Sequence, residues 1–415
     1  MDVKKNSYTF KSLLSGIWQN FIHELKTTFT DRGVVILLIV GPFIYPLLYG
    51  VMYLNETLVD VPVGIVDNSQ SMLSHQIARN LDATEALKVY SNYSSMSEAR
   101  QAFNNREIHG IVFIPRDLNR KISMNEQAVV SVYSDISSFM YYRSIYQSTT
   151  YSLLSLSKNI QVQRLNSKGI TGESALMVAD PLRYQNISLY NAGVGFASFL
   201  LPAIMILILF QTMFFGITML AGTSREENRF HVLVSPDINR EGILRIITGK
   251  AFLYFLIYFM WIFYALGLIP LIFNLPHIGN MIDIVMFMTP FLLASIFFAM
   301  SVSVFIPNRE TSMVLFMFFS IILLFLSGIT WPQSNINGFW KIFAWLFPST
   351  QGVQGYIKIN TMGASLHQVR FEYVSLWIQT ALYFITTFWT YRWQIKKSFR
   401  TNPELSETAD LQTTD

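Results

Sequence analysis

Cysteine is absent from all 415 residues. Without a thiol there is no disulfide, no thiolate nucleophile and no cysteine metal ligand, and the absence fits any compartment. Charge is scarce as well: Asp, Glu, Lys and Arg make up 13% of the chain, against about 25% in an ordinary soluble domain. That shortage excludes a disordered chain, a basic nucleic-acid-binding tail and a typical cytosolic enzyme. Histidine occurs only six times, and no Gly-x-Ser-x-Gly elbow or His-Glu-x-x-His pattern is present. A phosphate-binding Walker loop is missing too. The stretch from Gly242 to Gly249-Lys250-Ala251 has the wrong glycine spacing and no Ser or Thr to hold magnesium.

What the chain has instead is apolar surface: 52% hydrophobic residues, with 34 Phe, 20 Tyr and 8 Trp. A helix needs about 20 apolar residues to cross roughly 30 Å of hydrocarbon. Six stretches qualify: 34–54, 192–221, 251–273, 281–306, 312–330 and 373–391. Five contain no ionisable Asp, Glu, Lys, Arg or His, and the fourth has only Asp283 near its start. Pro42, Pro46, Pro202 and Pro290 fall inside these runs, where neighbouring helices can satisfy the freed carbonyls. Intramembrane charge is what a proton relay or ion path requires, so a proton-coupled transporter is disfavoured. The first run follows a long polar segment and is too extended for the core of a cleavable signal peptide.

Between the first two runs lies a different material. Residues 55–190 carry 24 charged residues in 136, about the density of a water-soluble domain. Val61–Asp67, residues 87–90, 109–115 and 128–133 read as strands. Residues 70–81, 97–104 and 138–166 read as helices, the last a long stalk leading back to the second span. Strands alternating with helices predict a small α/β domain. Asp67 and Asp135 each follow a strand, the usual place for an α/β site, although an Asp there is more often a cap or turn former.

Lys and Arg give the orientation. Fifteen lie on the side holding both termini, the 222–250 loop and the 307–311 turn, and three in the short loops opposite. The positive-inside rule places the fifteen, and therefore both termini, in the cytoplasm and leaves the insert outside. Before the first span, Leu13, Leu14, Ile17, Trp18, Phe21, Ile22 and Leu25 recur at helical spacing. They predict an amphipathic helix on the inner leaflet, or one packed on the protein's own loops. The fold class is thus an α-helical membrane protein of six transmembrane helices, with an α/β extracytoplasmic domain inserted between spans 1 and 2. The divisions are 1–32 (interfacial helix), 33–54 (span 1), 55–190 (insert with stalk), 191–393 (spans 2–6) and 394–415 (a partly disordered tail).

Five phrases give the chain a family likeness. They are Pro42-x-x-x-Pro46; Val61-Pro-Val-Gly-Ile-Val-Asp67 with Ser71 and Ser74; Glu107-Ile-His-Gly-Ile-Val-Phe-Ile-Pro115-x-Asp117; Tyr133-Ser-Asp135; and Leu326-Ser-Gly-Ile-Thr-Trp-Pro332 with Leu346-Phe-Pro348-Ser-Thr350 and Gln354-Gly-Tyr-Ile357. In this order they resemble the ABC-2 type exporter permeases that carry a large extracytoplasmic domain between the first two of six spans. The resemblance implies that the 222–250 loop, with Arg225-Glu-Glu-Asn-Arg-Phe-His-Val-Leu-Val-Ser-Pro236, contacts an ATPase. Glu226, Glu227, Phe230 and Pro236 are the coupling residues it points to, although the family's Gly-Thr pair after the acidic residues is missing here. In the hairpin 331–371 and just before it, Ser327, Gly328, Trp331 and Pro332 would form an extracytoplasmic gate, or simply end the fifth span with Trp331 and Trp340 as interfacial anchors.

The expected function is export of a hydrophobic or amphipathic, drug-like or lipid-like compound by alternating access. The chain would hold no cofactor, since ATP and magnesium bind a cytoplasmic ATP-binding subunit. A second permease, identical or paralogous, would complete the path, and a periplasmic adaptor with an outer-membrane channel could join it. The setting is the lipid bilayer of a bacterial inner membrane, and no nucleic acid is involved. Phe214, Phe215, Phe252, Phe255, Tyr258, Phe259 and Trp261 could line the path or pack against helices and lipid. Two rival classes remain. One is a non-transporting receptor or scaffold whose insert binds a ligand or partner. The other is a membrane-embedded enzyme using Asp283, His277, Glu372 and His367.

Overall fold

The computed structural model describes residues 10–182, 187–191, 193, 195–226 and 240–401. The chain divides into two compact units: Met1–Leu54 with Leu189–Asp415, and Asn55–Ser188.

The first unit opens with α1 (Phe10–Thr30) and α2 (Arg32–Met52). Asp31 separates them and caps α2, its carboxylate accepting from the backbone N–H of Gly33 and Val34. α2 winds as a π-helix over Ile36–Val40 before resuming α-helix through Pro42 and Pro46.

The second unit is α/β. In chain order it comprises β1 (Val61–Asp67), α3 (Met72–Asp82), β2 (Leu87–Tyr93), α4 (Met96–Asn104), β3 (Gly110–Ile114), α5 (Leu118–Ser123), β4 (Ser131–Ser134), α6 (Phe139–Ser167) and α7 (Glu173–Ala179). The sheet order is β2-β1-β3-β4. β1 lies parallel to both β2 and β3, and β4 pairs antiparallel with β3. A central parallel strand is buried on both faces, which is why β1 and β3 are almost continuously apolar. Ile65, Val112, Ile77, Ile145 and Leu156 form the core on the α3 and α6 side. Val66, Ile111, Ala99 and Ala102 form it on the α4 side. Ser71 and Ser74 cap α3 reciprocally, and Ser95 caps α4 through Glu98 N–H. α6 buries Ile145, Thr149 and Leu156, so this long helix is part of the insert's own core over much of its length.

The remainder of the first unit is helical. It comprises α8 (Phe196–Glu226), α9 (Arg240–Ile262), α10 (Met281–Ser303), α11 (Arg309–Leu326), α12 (Gly338–Trp345), α13 (Pro348–Met362) and α14 (Arg370–Thr401). α9 continues through a π-helical segment, Phe263–Leu268, to Ile272. Among the described residues five helices are long and apolar enough to cross a membrane: Arg32–Met52, Phe196–Glu226, Gly242–Ile272, Met281–Ser303 and Arg309–Leu326. The sixth expected stretch, 373–391, lies inside α14, which is not among the five. Gln379 and several threonines dilute its apolar surface, and they are used in packing. Thr380 donates to Pro290 O at 3.2 Å and Thr387 to Phe297 O at 2.8 Å, tying α14 along α10.

α8 is the centre of this unit, buried nearly throughout from Ala197 to Gly222. Polar side chains join it to its neighbours. Thr218 and Ser312 hydroxyls lie 2.7 Å apart, and Tyr258 donates to Thr212 at 3.0 Å. Trp261 Nε1 donates to Leu38 O at 3.0 Å and Tyr264 to Phe43 O at 2.8 Å, joining α9 to α2. α11 is the least covered of the five apolar helices, with Met313, Val314, Met317, Phe318 and Ile321 all exposed.

Candidate functional site

The 222–250 segment is helical at both described ends. α8 runs on to Glu226, and α9 begins at Arg240, well before the apolar run that opens at Ala251. Glu227, Phe230 and Pro236 lie outside the described residues. Of the four coupling residues expected from sequence, only Glu226 has a described position.

That position is specific. Glu226 Oε1 accepts the backbone N–H of Arg309 at 3.1 Å, at the start of α11. Arg225 beside it donates to Ile306 O at 2.5 Å and also to Val304 O. One turn earlier, a Cβ on Gly222 would stand 2.8 Å from the Asn308 carbonyl, so the backbones touch where α8 meets the α10–α11 turn. Arg309 then reaches Asp31, with Nη2 3.2 Å from Oδ1. Thr223 Oγ1 donates to Asp31 Oδ2 at 3.2 Å. The first end of the segment is thus tied to α11 and, through Asp31, to the entry of α2. A cavity of about 280 Å³ adjoins this knot, lined by Gly33, Ile36, Met219, Met313 and Phe316 among others.

The other end is held by α1. Lys250 Nζ lies 2.9 Å from Glu24 Oε2, and Tyr254 donates to Glu24 Oε1 at 2.6 Å. Phe21 packs on Phe252 with ring centroids 5.6 Å apart. Gly249 permits this approach, since a Cβ there would stand 2.8 Å from Ile17 O. α1 therefore docks on α9 through Phe21, Glu24 and Thr28, while Leu14 and Trp18 stay exposed. The sequence signalled the apolar stripe but not Glu24, which reads there as one polar residue among several.

The four expected gate residues sit where α11 stops. Ser327 is buried, and its carbonyl accepts Gln354 Nε2 of α13 at 2.7 Å. Gly328 takes φ +85°, a left-handed conformation that ends the helix cleanly. Trp331 is 57% exposed, and Pro332 leads into a 3₁₀ turn at Gln333–Asn335. The following α13 is polar in sequence yet buried, with Gly352 and Gly355 against the rings of Phe291 and Phe287 on α10.

The aromatics considered for a path are mostly packing elements. Phe214 and Phe215 lie against Phe298 and Phe316, and Tyr258 and Trp261 are hydrogen-bonded to neighbouring helices. Two of the residues eligible for an embedded enzyme are engaged in side-chain pairings. His277 Nδ1 lies 2.5 Å from Asn360 Oδ1, and Glu372 pairs with Lys358 at 2.5 Å. Among the described residues no group of three His, Cys, Asp or Glu could hold a metal ion. In the insert, Asp67 is a turn former: it accepts from Ser69 N–H at 2.9 Å, Gln70 N–H at 3.0 Å and Ser74 Oγ at 2.6 Å. Asp135 likewise accepts from Ser137 N–H at 2.8 Å.

Compared with known families, residues 32–389 match the family described as ABC-2 family transporter protein. No curated protein matches the chain.

Proposed function

This chain belongs to the ABC-2 family of transporter proteins, and we propose that it is the membrane permease subunit of an ATP-driven exporter moving a hydrophobic or amphipathic compound outward. Membership makes it a multi-pass membrane component of a transporter rather than its catalytic subunit, and implies an ATP-binding partner. In this reading α14 supplies a sixth span, both termini face the cytoplasm of a bacterial cell, and Asn55–Ser188 lies outside. A second permease, identical or paralogous, completes the path, and the ATPase engages the segment between α8 and α9.

The observation that carries the reading is the double anchoring of that segment. A push on residues 227–239 has two rigid outlets. One runs through Glu226 and Arg309 to α11 and Asp31, the other through Lys250 to Glu24 and α1. Coupling of this kind needs an element packed so that it moves its neighbours rather than bending alone. At the other end, the break at Ser327–Pro332 is braced by Gln354, which suits a gate: irregular backbone at membrane depth survives only where protein or a cavity satisfies it. A hydrophobic or amphipathic passenger is supported by five apolar helices whose expected spans carry almost no ionisable side chain.

The test is reconstitution with the ATP-binding partner and a Glu226→Ala/Glu227→Ala variant. Hydrolysis should persist while compound exported per ATP falls at least tenfold. An unchanged ratio would remove these residues from the coupling path.

A further inference from the structure

In a sheet of parallel strands, ligands bind outside the carboxyl ends, where successive connections leave in opposite directions. The second unit has that arrangement. β1 is central, the chain departs from it to β2 on one side, and it returns to β3 on the other. The three strands run parallel and end on one edge, at Asp67, Tyr93 and Ile114. A cavity of about 950 Å³ opens there, lined by Asp67 at the end of β1 and Gln70 beyond it, Asn92 in β2 and Ser94 beyond it, Arg116 after β3 and His75 of α3.

The chemistry of the crevice depends on which of these groups are already engaged. Asp67 accepts three hydrogen bonds within its own turn, which holds Gln70 at φ +45°, an uncommon conformation for a residue other than glycine. Ser94 Oγ is bound to Glu98 at 2.7 Å. Asp117, adjacent to Arg116 in sequence, is paired with Lys121 at 2.8 Å. Among the described residues, however, the solvent-exposed side chains of Arg116, His75 and Asn92 take part in no hydrogen bond or ion pair within the protein and are open to a ligand as they are to water. The crevice therefore presents an arginine fork held in no ion pair, together with neutral hydrogen-bonding groups, while the oxygens of its one carboxylate, Asp67, accept from the donors of their own turn.

The geometry points to this crevice as a binding site for a small polar molecule bearing one oxyanion, a phosphate or a carboxylate. Arg116 takes the oxyanion, and Asn92 and His75 bind the polar body. A planar guanidinium matches both oxyanions through two parallel N–H···O bonds. The volume falls in the range of about 300–1,000 Å³ seen for small-molecule pockets, which leaves room for more than a bare ion. The site is separate from the transport reading and stands or falls independently of it.

The experiment is calorimetric titration of the full chain in zwitterionic nanodiscs with glycerol 3-phosphate, glycerate and glycerol. Both anions should bind saturably at one site, and neutral glycerol should not. Arg116→Gln should weaken binding at least tenfold. Arg120→Gln, which removes an exposed cation outside the crevice, should change it less than twofold. Repeating the titration in nanodiscs containing phosphatidic acid separates two sources of the same chemistry. Competition identifies a lipid headgroup, and its absence identifies a soluble anion. The assignment is overturned if neither anion saturates, if Arg116→Gln binds as tightly as the unaltered chain, or if Arg120→Gln loses as much.

Discussion

Glu24 of α1 and Lys250 of α9 form an ion pair at 2.9 Å, with 3% and 11% of their side chains exposed. Removing one partner of such a pair leaves an uncompensated charge, which costs about 3–5 kcal/mol, whereas an apolar replacement of both is close to neutral. Glu24→Leu should therefore lower the thermal midpoint of the purified protein sharply. Glu24→Leu/Lys250→Met should recover most of the loss. Additive effects in the double variant would show that the two residues act separately.

Asp31 has two tasks that substitution can separate. It caps α2 through Gly33 and Val34 N–H, and it faces Arg309. Asp31→Asn keeps a capping acceptor but loses the charge, while Asp31→Ala loses both, at about 1 kcal/mol for the cap. Denaturation should rank Ala below Asn. Compound exported per ATP should fall in both if the contact with Arg309 transmits motion, and equal coupling in Asn and the unaltered chain would rule that out.

Gly249 sets how closely α1 can lie on α9. A leucine there would collide with the Ile17 carbonyl region and lift α1 away. Because the chain has no cysteine, a single Phe21→Cys reports on this directly through its rate of maleimide labelling. The rate should rise several-fold when Gly249→Leu is added, and a constant rate would mean α1 is held by other contacts.

Gly328 combines φ +85° with a crowded position, a Cβ there standing 2.5 Å from Gln354 Nε2. Gly328→Ala should destabilise by about 1–2 kcal/mol from the left-handed backbone alone, with a further loss if Gln354 is displaced from Ser327 O. Gln354→Leu leaves that buried carbonyl unsatisfied and should cost about 1–3 kcal/mol. Urea denaturation midpoints measure both.

Three carboxylates of the insert are held below their ordinary range. Hydrogen bonds from Ser94 do this for Glu98, the Lys121 ammonium for Asp117, and hydrogen bonds from Ser137 for Asp135. A depressed carboxylate stabilises the folded state above its unfolded pKa and loses that contribution as pH falls through its folded value. Hydrogen-exchange protection of this unit should thus be flat near neutrality and decline in acid. Ser94→Ala should shift the Glu98 titration upward, and an unmoved titration would assign the shift elsewhere.

Much of the insert's secondary structure was legible because local rules act there. Val61–Val66 is apolar without alternation because β1 is covered on both faces, and Ser95 precedes its helix at the capping position. β2 runs on to Tyr93, past the expected end at Tyr90, because its polar Ser91 and Asn92 still pair with Gly64 and Ile65. The ties at the two ends of the 222–250 segment were not legible. Tyr254 and Glu24 are 230 positions apart, and no periodicity connects them. Arg309 reads as one basic residue in a short turn, and only the fold brings Asp31 and Glu226 to it.

The π-helical stretches in α2 and α9 give these two helices a particular freedom. A π segment holds a surplus residue relative to regular winding. Moving that surplus along the helix would exchange one set of backbone bonds for another and turn the residues it passes by about 100°. Trp261 of α9, just before one such stretch, grips the carbonyl of Leu38 inside the other. The indole is a pin between two screws, so a turn in either one is felt by its neighbour.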